Sequence, residues 1–358
     1  MTSRPVSDTT PDPASDTTGA TSRRVLDVVD LRTHFRTHRG IVRAVDGVSL
    51  NLDRGTTLGI VGESGSGKTV LVRSIMGLLP KRNIIREGRV LYQGVDLTEL
   101  GPESLRDLWG TEMAMIFQDP MTSLNPVLRV GRQITEGLRV HLKMDRKTAN
   151  ATALALMRSV GIPEPERRLR QYPHELSGGM RQRVMIAIAL ACGPKLLFAD
   201  EPTTALDVTV QAQILNLLAR QQRERDMGMI LVTHDLGVVA GHTDHIAVMY
   251  AGQLVEVAPT KELFTNVRMP YTEALLGSIP MLEHRSHTRL RVIPGRPPDL
   301  TGEAHHCRFA PRCPYVQERC WQEQPPLIDG GGGHLYRCWF PVGHDRPTPV
   351  SVETGVSS

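Results

Sequence analysis

The chain has 358 residues, of which 40% are hydrophobic, and its 42 basic and 38 acidic side chains give a formal net charge of +4. A chain of this size can bury one large core or two smaller ones, which excludes a natively disordered polymer. Its charges are mixed and form no long run of one sign, so composition gives no argument for a nucleic-acid partner. Every apolar run is shorter than the roughly 18 to 20 residues of a membrane helix, so we predict a soluble chain that does not cross a membrane itself.

The first segment, residues 1–24, is rich in Ser, Thr, Asp and Pro and lacks the apolar stretch of a secretory signal. We predict that this segment is a disordered tail. Without export, structural disulfides are not expected among the five cysteines of the chain.

After the tail, apolar runs alternate with helical periodicity. Predicted strands cover residues 25–29, 42–52, 57–61, 89–92, 113–117, 196–199, 229–233 and 246–250, and predicted helices cover 69–79, 132–142, 146–160, 179–190 and 208–223. This alternation predicts an α/β fold around a mostly parallel sheet. Helices dominate between 119 and 192, which predicts a helical insert, whereas prolines and glycines accumulate after about Leu263 and indicate a separate C-terminal extension.

The segment that begins at Gly62 reads Gly-Glu-Ser-Gly-Ser-Gly-Lys-Thr and lies between a predicted strand and a predicted helix. This is the pattern and the context of a phosphate-binding loop, because its glycines let backbone N–H groups wrap a polyphosphate at a helix N-terminus. We expect Lys68 to reach the terminal phosphates and the Thr69 hydroxyl to bind Mg²⁺. The predicted loop residues are Gly62, Glu63, Ser64, Gly65, Ser66, Gly67, Lys68 and Thr69.

A second apolar strand ends in two carboxylates, Asp200 and Glu201. The carboxyl end of a parallel strand would place both beside the phosphate-binding loop. We expect Asp200 to hold Mg²⁺ through water and Glu201 to act as the general base for an attacking water molecule. An Asp-Glu pair at the end of a strand is often only structural, but its combination with the loop favours the catalytic interpretation.

A third motif, Leu-Ser-Gly-Gly-Met-Arg-Gln-Arg, precedes the strongly apolar helix predicted at 179–190. Its Ser177, Gly178 and Gly179 predict a second helix N-terminus that could receive a phosphate. An ordinary helix cap would account for Ser177 but not for two glycines in the first turn, where glycine weakens a helix.

In this order the three motifs resemble the nucleotide-binding domain of the ATP-binding cassette family, over about residues 25–259. The resemblance implies a P-loop (RecA-like) core at 25–262 with a helical subdomain at about 119–192 and an antiparallel β edge. It also implies roles for Gln118 at the Q-loop, in contact with Mg²⁺ and the catalytic centre, for His234 as the switch histidine at the γ-phosphate, and for Phe35 stacked on adenine. Residues Ala205-Leu-Asp207 are similar to the D-loop.

The family resemblance further implies a head-to-tail pair with a second ATP-binding subunit, identical or paralogous. In such a pair the phosphate-binding loop of one subunit and Ser177, Gly178 and Gly179 of the other enclose each ATP.

Three further segments resemble the oligopeptide and dipeptide importer branch of this family: 118–126 (Gln-Asp-Pro-Met-Thr-Ser-Leu-Asn-Pro), 171–177 and 294–300. This implies an ATPase subunit that lies peripherally on the cytoplasmic face of the cell membrane. Its partners would be two membrane permeases and, indirectly, an external binding protein, with no nucleic acid. An importer of nickel or another solute is the nearest alternative. A cassette ATPase of DNA repair or of ribosomes is less expected, because the chain has one cassette and a short insert.

Four cysteines lie in the predicted extension, residues 263–358. They are Cys307, Cys313, Cys320 and Cys338. Structural zinc sites usually have ligands two to four residues apart, and the common ferredoxin spacing is also missing, so the spacing alone leaves the identity of any metal open. The importer resemblance implies a 4Fe-4S cluster on these thiols, with zinc and four free thiols as alternatives.

Overall fold

The computed structural model describes residues 23–80, 82–204, 206–279 and 293–343. The predicted tail lies outside the described residues up to position 22, and Ala205 of the D-loop segment lies outside them too. The strands are β1 (Arg24–Thr37), β2 (Gly40–Asp53), β3 (Thr57–Val61), β4 (Ile84–Tyr92), β5 (Val95–Asp96), β6 (Met113–Ile116), β7 (Leu196–Asp200), β8 (Gly228–Thr233), β9 (His245–Tyr250), β10 (Gln253–Pro259), β11 (Ile328–Asp329) and β12 (Leu335–Tyr336).

The helices include several single turns between longer segments. They are α1 (Lys68–Ile75), α2 (Pro102–Leu108), α3 (Pro120–Ser123), α4 (Val130–Val140), α5 (Arg146–Ser159), α6 (Pro165–Arg168), α7 (Gly178–Leu190), α8 (Val208–Arg225), α9 (Leu236–Val239), α10 (Thr260–Thr265), α11 (Pro270–Leu276) and α12 (Glu318–Gln322). Short 3₁₀ helices cover Pro173–Glu175 and Ala310–Arg312.

The central sheet of the described chain has the strand order β11-β12-β10-β9-β3-β8-β7-β6. From β9 to β6 neighbouring strands are parallel, and every residue of β3, β7 and β8 is buried. Parallel strands covered on both faces read as continuous apolar runs, which is why the sequence shows them so clearly. The α/β fold around a mostly parallel sheet, predicted from these runs, is confirmed.

A second sheet has the order β2-β1-β4-β5, in which β1 pairs antiparallel with both β2 and β4. Its buried residues join those of α1 and of β3 in one hydrophobic cluster. This sheet is the predicted antiparallel β edge. It lies next to the start of α1, because β2 contacts that helix.

The helical segment between β6 and β7 contains α4, α5 and α7, which contact one another. Side chains cap two of them: Asp145 accepts the N–H groups of Lys147 and Thr148 at α5, and Ser177 accepts that of Met180 at α7. Such caps satisfy backbone donors that a helix cannot pair internally.

Several predicted boundaries differ from the structure: the strand predicted at 25–29 extends over all of β1 (Arg24–Thr37), and the strand predicted at 89–92 begins earlier, at Ile84. The helix predicted at 69–79 begins at Lys68 and ends at Ile75, because Gly77 takes a left-handed conformation with φ of +69°. Glycine adopts that conformation without the steric cost of a side chain and commonly ends helices. The apolar residues that follow were therefore misassigned to the helix.

The region after Leu263 is joined to the central sheet through β12, which pairs antiparallel with β10. Three of its cysteines, Cys307, Cys320 and Cys338, are buried in the same hydrophobic cluster as the parallel strands and the helical segment. The extension therefore shares a core with the cassette. Across the described ranges, no helix is long and apolar enough to span a bilayer.

Candidate functional site

The carboxyl ends of β3, β8 and β7 lie side by side, because β3 pairs with β8 and β8 with β7, all in parallel. The phosphate-binding loop follows β3, Glu201 follows β7, and His234 follows β8. Open α/β sheets bind ligands at this edge. Three of the predicted motifs therefore meet in one place.

The glycines of the loop permit close approach of two backbone segments. At Gly67, φ is +104°, and a Cβ atom there would lie 2.1 Å from the carbonyl oxygen of Ala44. At Gly62, a Cβ atom would lie 2.1 Å from the carbonyl oxygen of Met249. A Cβ at Gly65 would meet no atom within 4 Å, so the loop is open on that side.

Lys68 is buried within the loop, and its Nζ donates to the carbonyl oxygens of Gly62 at 2.7 Å and Glu63 at 3.0 Å. Burial lowers the pKa of Lys68, while the carboxylates of Glu201, Asp200 and Glu63 raise it. Its ammonium group is therefore held inside the loop by hydrogen-bond acceptors and nearby carboxylates. There its positive charge is suited to bind a polyphosphate.

Asp200 is fully buried, and its Oδ1 accepts a hydrogen bond of 3.0 Å from the Thr69 hydroxyl. Burial raises the pKa of Asp200, and the bond from Thr69 opposes this. Within the described residues its Oδ2 and the buried hydroxyl of Ser66 have no hydrogen-bond partner. Buried oxygens without hydrogen-bond partners are suitable ligands for Mg²⁺, which prefers oxygen, so these residues fit the implied ion.

Three side chains surround one oxygen of Glu201. Its Oε2 accepts from Gln118 Nε2 at 3.0 Å and from the Thr204 hydroxyl at 2.9 Å, and His234 Nδ1 lies 3.4 Å away. Glu201 itself has φ of +47°, a conformation that non-glycine residues rarely adopt and that often marks functional sites. The structure thus brings together the three predicted catalytic residues. Thr204 was missed by the sequence analysis, although it follows Glu201 by only three positions.

Residues Ser177, Gly178 and Gly179, the segment that resembles the signature motif of the cassette family, have different neighbours. The Ser177 hydroxyl accepts from the Met180 N–H at 3.3 Å, and Cβ atoms at Gly178 and Gly179 would lie 3.7 Å from Leu206 and 3.0 Å from Val210. These contacts are with the segment after Glu201 and with α8. They do not include the phosphate-binding loop of the same chain.

Phe35 is half-buried on β1, opposite Val42 of β2 and Ile84 of β4. Two residues after Val42, Ala44 touches the phosphate-binding loop. The register places Phe35 on the sheet that flanks the loop. The adenine contact implied by the resemblance stays a prediction.

The four cysteines of the extension form no disulfide. Burial raises the pKa of Cys307 to about 11 and those of Cys313 and Cys338 to about 12, and each of these thiols is further affected by others of the set. However, the described residues contain no group of three or more His, Cys, Asp or Glu side chains able to hold a metal ion. The expected 4Fe-4S cluster is therefore not supported by this arrangement.

An apolar groove of about 280 Å³ lies between the central sheet and the helical segment. Its lining includes Met76, Trp109, Met115, Phe117, Leu124 and Met185. Phe117 directly precedes Gln118, and Met121 and Val127 in the same loop are more than half exposed. The groove is thus continuous with the segment that reaches Glu201.

A glycine-rich loop around a buried lysine, next to a strand that ends in a carboxylate pair, defines a P-loop nucleotide hydrolase. Comparison with known proteins gives the family. A model described as ABC transporter matches residues 45–204, and one described as oligopeptide/dipeptide transporter, C-terminal region, matches 255–320.

Individual relatives agree with these matches. The chain is 50% identical over 318 residues to the oligopeptide transport ATP-binding protein OppD of Bacillus subtilis (strain 168), covering 88% of this chain and 89% of the relative. The dipeptide transport ATP-binding protein DppD of the same organism is 49% identical, with 88% and 95% covered.

A solved ATP-binding cassette, a dimer in a post-hydrolysis state with ADP and Pi, superposes with a TM-score of 0.58 at 26% identity over 66% of this chain and 98% of the other. The chain belongs to the ATP-binding subunits of ABC transporters, in the branch with the oligopeptide/dipeptide C-terminal region. It is therefore an ATPase.

Proposed function

We propose that this chain hydrolyses ATP to drive the import of oligopeptides or dipeptides, as a peripheral subunit on the cytoplasmic face of the cell membrane. The observation that carries the catalytic part is the convergence of Gln118, Thr204 and His234 on Glu201, next to Lys68 and Asp200. The two transport relatives and the C-terminal region of the same branch support the peptide substrate.

In this proposal Lys68 and the N–H groups of the loop bind the phosphates, and Thr69, Asp200 and Gln118 would hold Mg²⁺. The ion supplies charge neutralisation on the phosphates when bound. Glu201 takes the proton of the attacking water, and Gln118 and His234 orient that water and the γ-phosphate. Thr204 helps to aim the carboxylate, because its hydroxyl donates to the same oxygen.

The signature residues Ser177, Gly178 and Gly179 would close the ATP site of a second ATP-binding subunit, because their contacts in this chain are remote from its own loop. The dimeric cassette supports this arrangement. The apolar groove would receive a short cytoplasmic helix of a membrane permease, since its lining continues directly into Gln118. Such a contact would transmit permease movement to the catalytic carboxylate.

The test is peptide-stimulated ATP hydrolysis by the complex assembled with its permeases and the external binding protein in proteoliposomes. We expect hydrolysis to rise when a peptide-loaded binding protein is added, and Phe117→Asp to abolish that response but retain ATP binding. The matched control is Val95→Asp, another exposed apolar position outside the groove. Stimulation by nickel and not by peptides would overturn the peptide assignment.

The four-cysteine extension, 263–358, is proposed to carry the 4Fe-4S cluster implied by the importer resemblance. The resemblance alone carries this proposal, since the described residues form no group of three or more metal ligands. Protein purified without oxygen should be brown and contain about four irons per chain. Colourless protein with stoichiometric zinc, or without metal, would refute the cluster and leave the ATPase assignment unchanged.

A further inference from the structure

Two arginines in the segment between Cys307 and Cys313 are buried and point toward the phosphate-binding loop. Arg308 and Arg312 are at most 9% exposed, although arginine is almost never fully buried without partners. Neither belongs to a predicted motif. Both connect the extension to residues that surround the loop.

Arg312 uses all five of its N–H donors. Its Nη1 donates to Glu63 Oε2 at 2.6 Å and to the Tyr250 hydroxyl at 3.4 Å, and its Nη2 donates to Glu63 Oε1 at 2.9 Å. The other two donors reach the carbonyl oxygens of Ile293, at 3.4 Å from Nη2, and Pro294, at 2.8 Å from Nε. The bridge to Glu63 is therefore bidentate and largely buried, the geometry in which arginine–carboxylate pairs are strong and orienting.

Glu63, the second residue of the loop, is held at three points. Its carboxylate binds Arg312, its N–H donates to the Tyr271 hydroxyl at 2.9 Å, and its carbonyl oxygen accepts from Lys68 at 3.0 Å. Tyr271 is fully buried and packs against Tyr250 and Phe309, with ring centroids 4.5 and 5.4 Å apart. The loop is thus connected through one residue to the extension.

Arg308 makes a second connection nearby. It donates to the Asp46 carboxylate and to the carbonyl oxygen of Ala251, and the next residue, Gly252, donates its N–H to the Ser66 carbonyl oxygen at 2.9 Å. Ser66 belongs to the loop. One short segment therefore supports the loop at two points, Arg312 directly at Glu63 and Arg308 indirectly at Ser66, through Ala251 and Gly252.

We propose that Arg312 is a positioning residue of the ATP site, which fixes Glu63 and thereby keeps the phosphate-binding loop in its anion-binding conformation. Arg312 also neutralises the only acidic side chain of a loop that receives a polyphosphate. This inference rests on the proposed function. It assigns to the extension a direct part in nucleotide binding by its own chain.

The test is the affinity of the full-length purified subunit for a non-hydrolysable ATP analogue with Mg²⁺, measured by calorimetry. Arg312→Met should weaken binding about tenfold or more, because it leaves the Glu63 carboxylate unpaired beside the phosphates. The matched control is Arg319→Met, which breaks an exposed arginine–glutamate pair in the same extension and should not change the affinity. Unchanged affinity in Arg312→Met would overturn the inference.

A double-mutant cycle separates positioning from general damage. In the Glu63→Gln background, Arg312→Met should change the affinity less than about threefold, because the charge that Arg312 compensates is gone. Equal losses in both backgrounds would show only a structural role and would overturn the inference.

If Arg312→Met does not fold, Arg312→Lys replaces it, since lysine keeps the charge but not the bidentate geometry. A wild-type chain that binds no nucleotide would instead overturn the proposed function, and the inference with it.

Discussion

The chain has two helix N-termini of very different construction. At α1, Gly67 is left-handed with no side-chain cap, and Lys68, Thr69 and Asp200 lie around it. At α7, Ser177 has an extended conformation and caps the helix with its own hydroxyl, which accepts the Met180 N–H. In the proposed function the first end carries the chemistry and the second recognises a phosphate. One chain therefore contributes two different parts of an ATP site, one at α1 and one at α7. This difference favours a site that is completed between two subunits.

The largest difference between the two helix N-termini is expected when Glu201, the proposed general base near α1, is replaced. Glu201→Gln should lower hydrolysis in the assembled transporter by roughly 10²- to 10⁴-fold and leave ATP binding intact, because the amide keeps the shape but cannot accept the proton. Phosphate release and calorimetry measure the two effects. Glu103→Gln, an exposed glutamate of α2, is the control. Near-normal turnover in Glu201→Gln would remove Glu201 from the mechanism.

Removing the buried ammonium group of Lys68 should mainly weaken the binding of ATP. Lys68→Ala is expected to weaken ATP affinity roughly 10- to 100-fold, since a hydrogen bond to a charged group contributes about 1.5–3 kcal/mol. The control is Lys195→Ala, which removes a half-exposed lysine paired with Glu112 at the start of β7. An unchanged dissociation constant in Lys68→Ala would contradict the placement of the phosphates.

Substitution of a glycine should also have a different effect on stability at each of the two helix N-termini. Gly67→Ala forces a side chain into a left-handed position against the Ala44 carbonyl oxygen, with strain of about 1–3 kcal/mol before any clash is relieved. Gly178→Ala meets only Leu206 at an ordinary 3.7 Å. Chemical denaturation should therefore show a clear loss of unfolding free energy for Gly67→Ala and almost none for Gly178→Ala. Equal losses would mean that the two ends are built alike.

The smallest effect is expected at the second end. Ser177→Ala should cost about 1 kcal/mol of stability through the lost cap and leave ATP affinity of the isolated subunit unchanged, while hydrolysis by the assembled complex falls. Asp145→Ala removes the cap of α5 and should lower stability without that loss of hydrolysis. Weaker ATP binding by the isolated Ser177→Ala subunit would argue against a role in the partner's site.

The sequence was most informative where local patterns set the structure. The all-buried strands, the loop from Gly62 to Thr69 and the capped helices can each be recognised within about ten residues, because continuous apolar runs, glycines and cap residues act locally. The loop around Glu201 was located in the same way. What local pattern cannot supply is which groups converge on it, such as Thr204 and His234 on one oxygen.

The contacts of Arg312 show the limit of such reasoning. It meets Glu63 across 249 positions of sequence, and no periodicity or motif marks either residue as one of a pair. The strand β12 was missed for a related reason, since it has only two residues and its pairing with β10 depends on tertiary contact. The seven-residue strand β10, which pairs with its neighbour β9, was missed as well. The predicted end of α1 was wrong because of a single backbone conformation, the positive φ of Gly77.

The pairing of β12 with β10 also covers an edge of the central sheet. An uncovered strand edge offers free N–H and C=O groups to any other chain, and proteins usually cover or shorten such edges. Here the two-residue strands β12 and β11 continue the sheet beyond β10, and the Arg337 N–H donates to the Val255 carbonyl oxygen at 2.8 Å. A chain cut after α11 would expose both this edge and the rings of Tyr250 and Tyr271. We therefore expect proteolytic loss of the extension to promote aggregation of the remaining subunit.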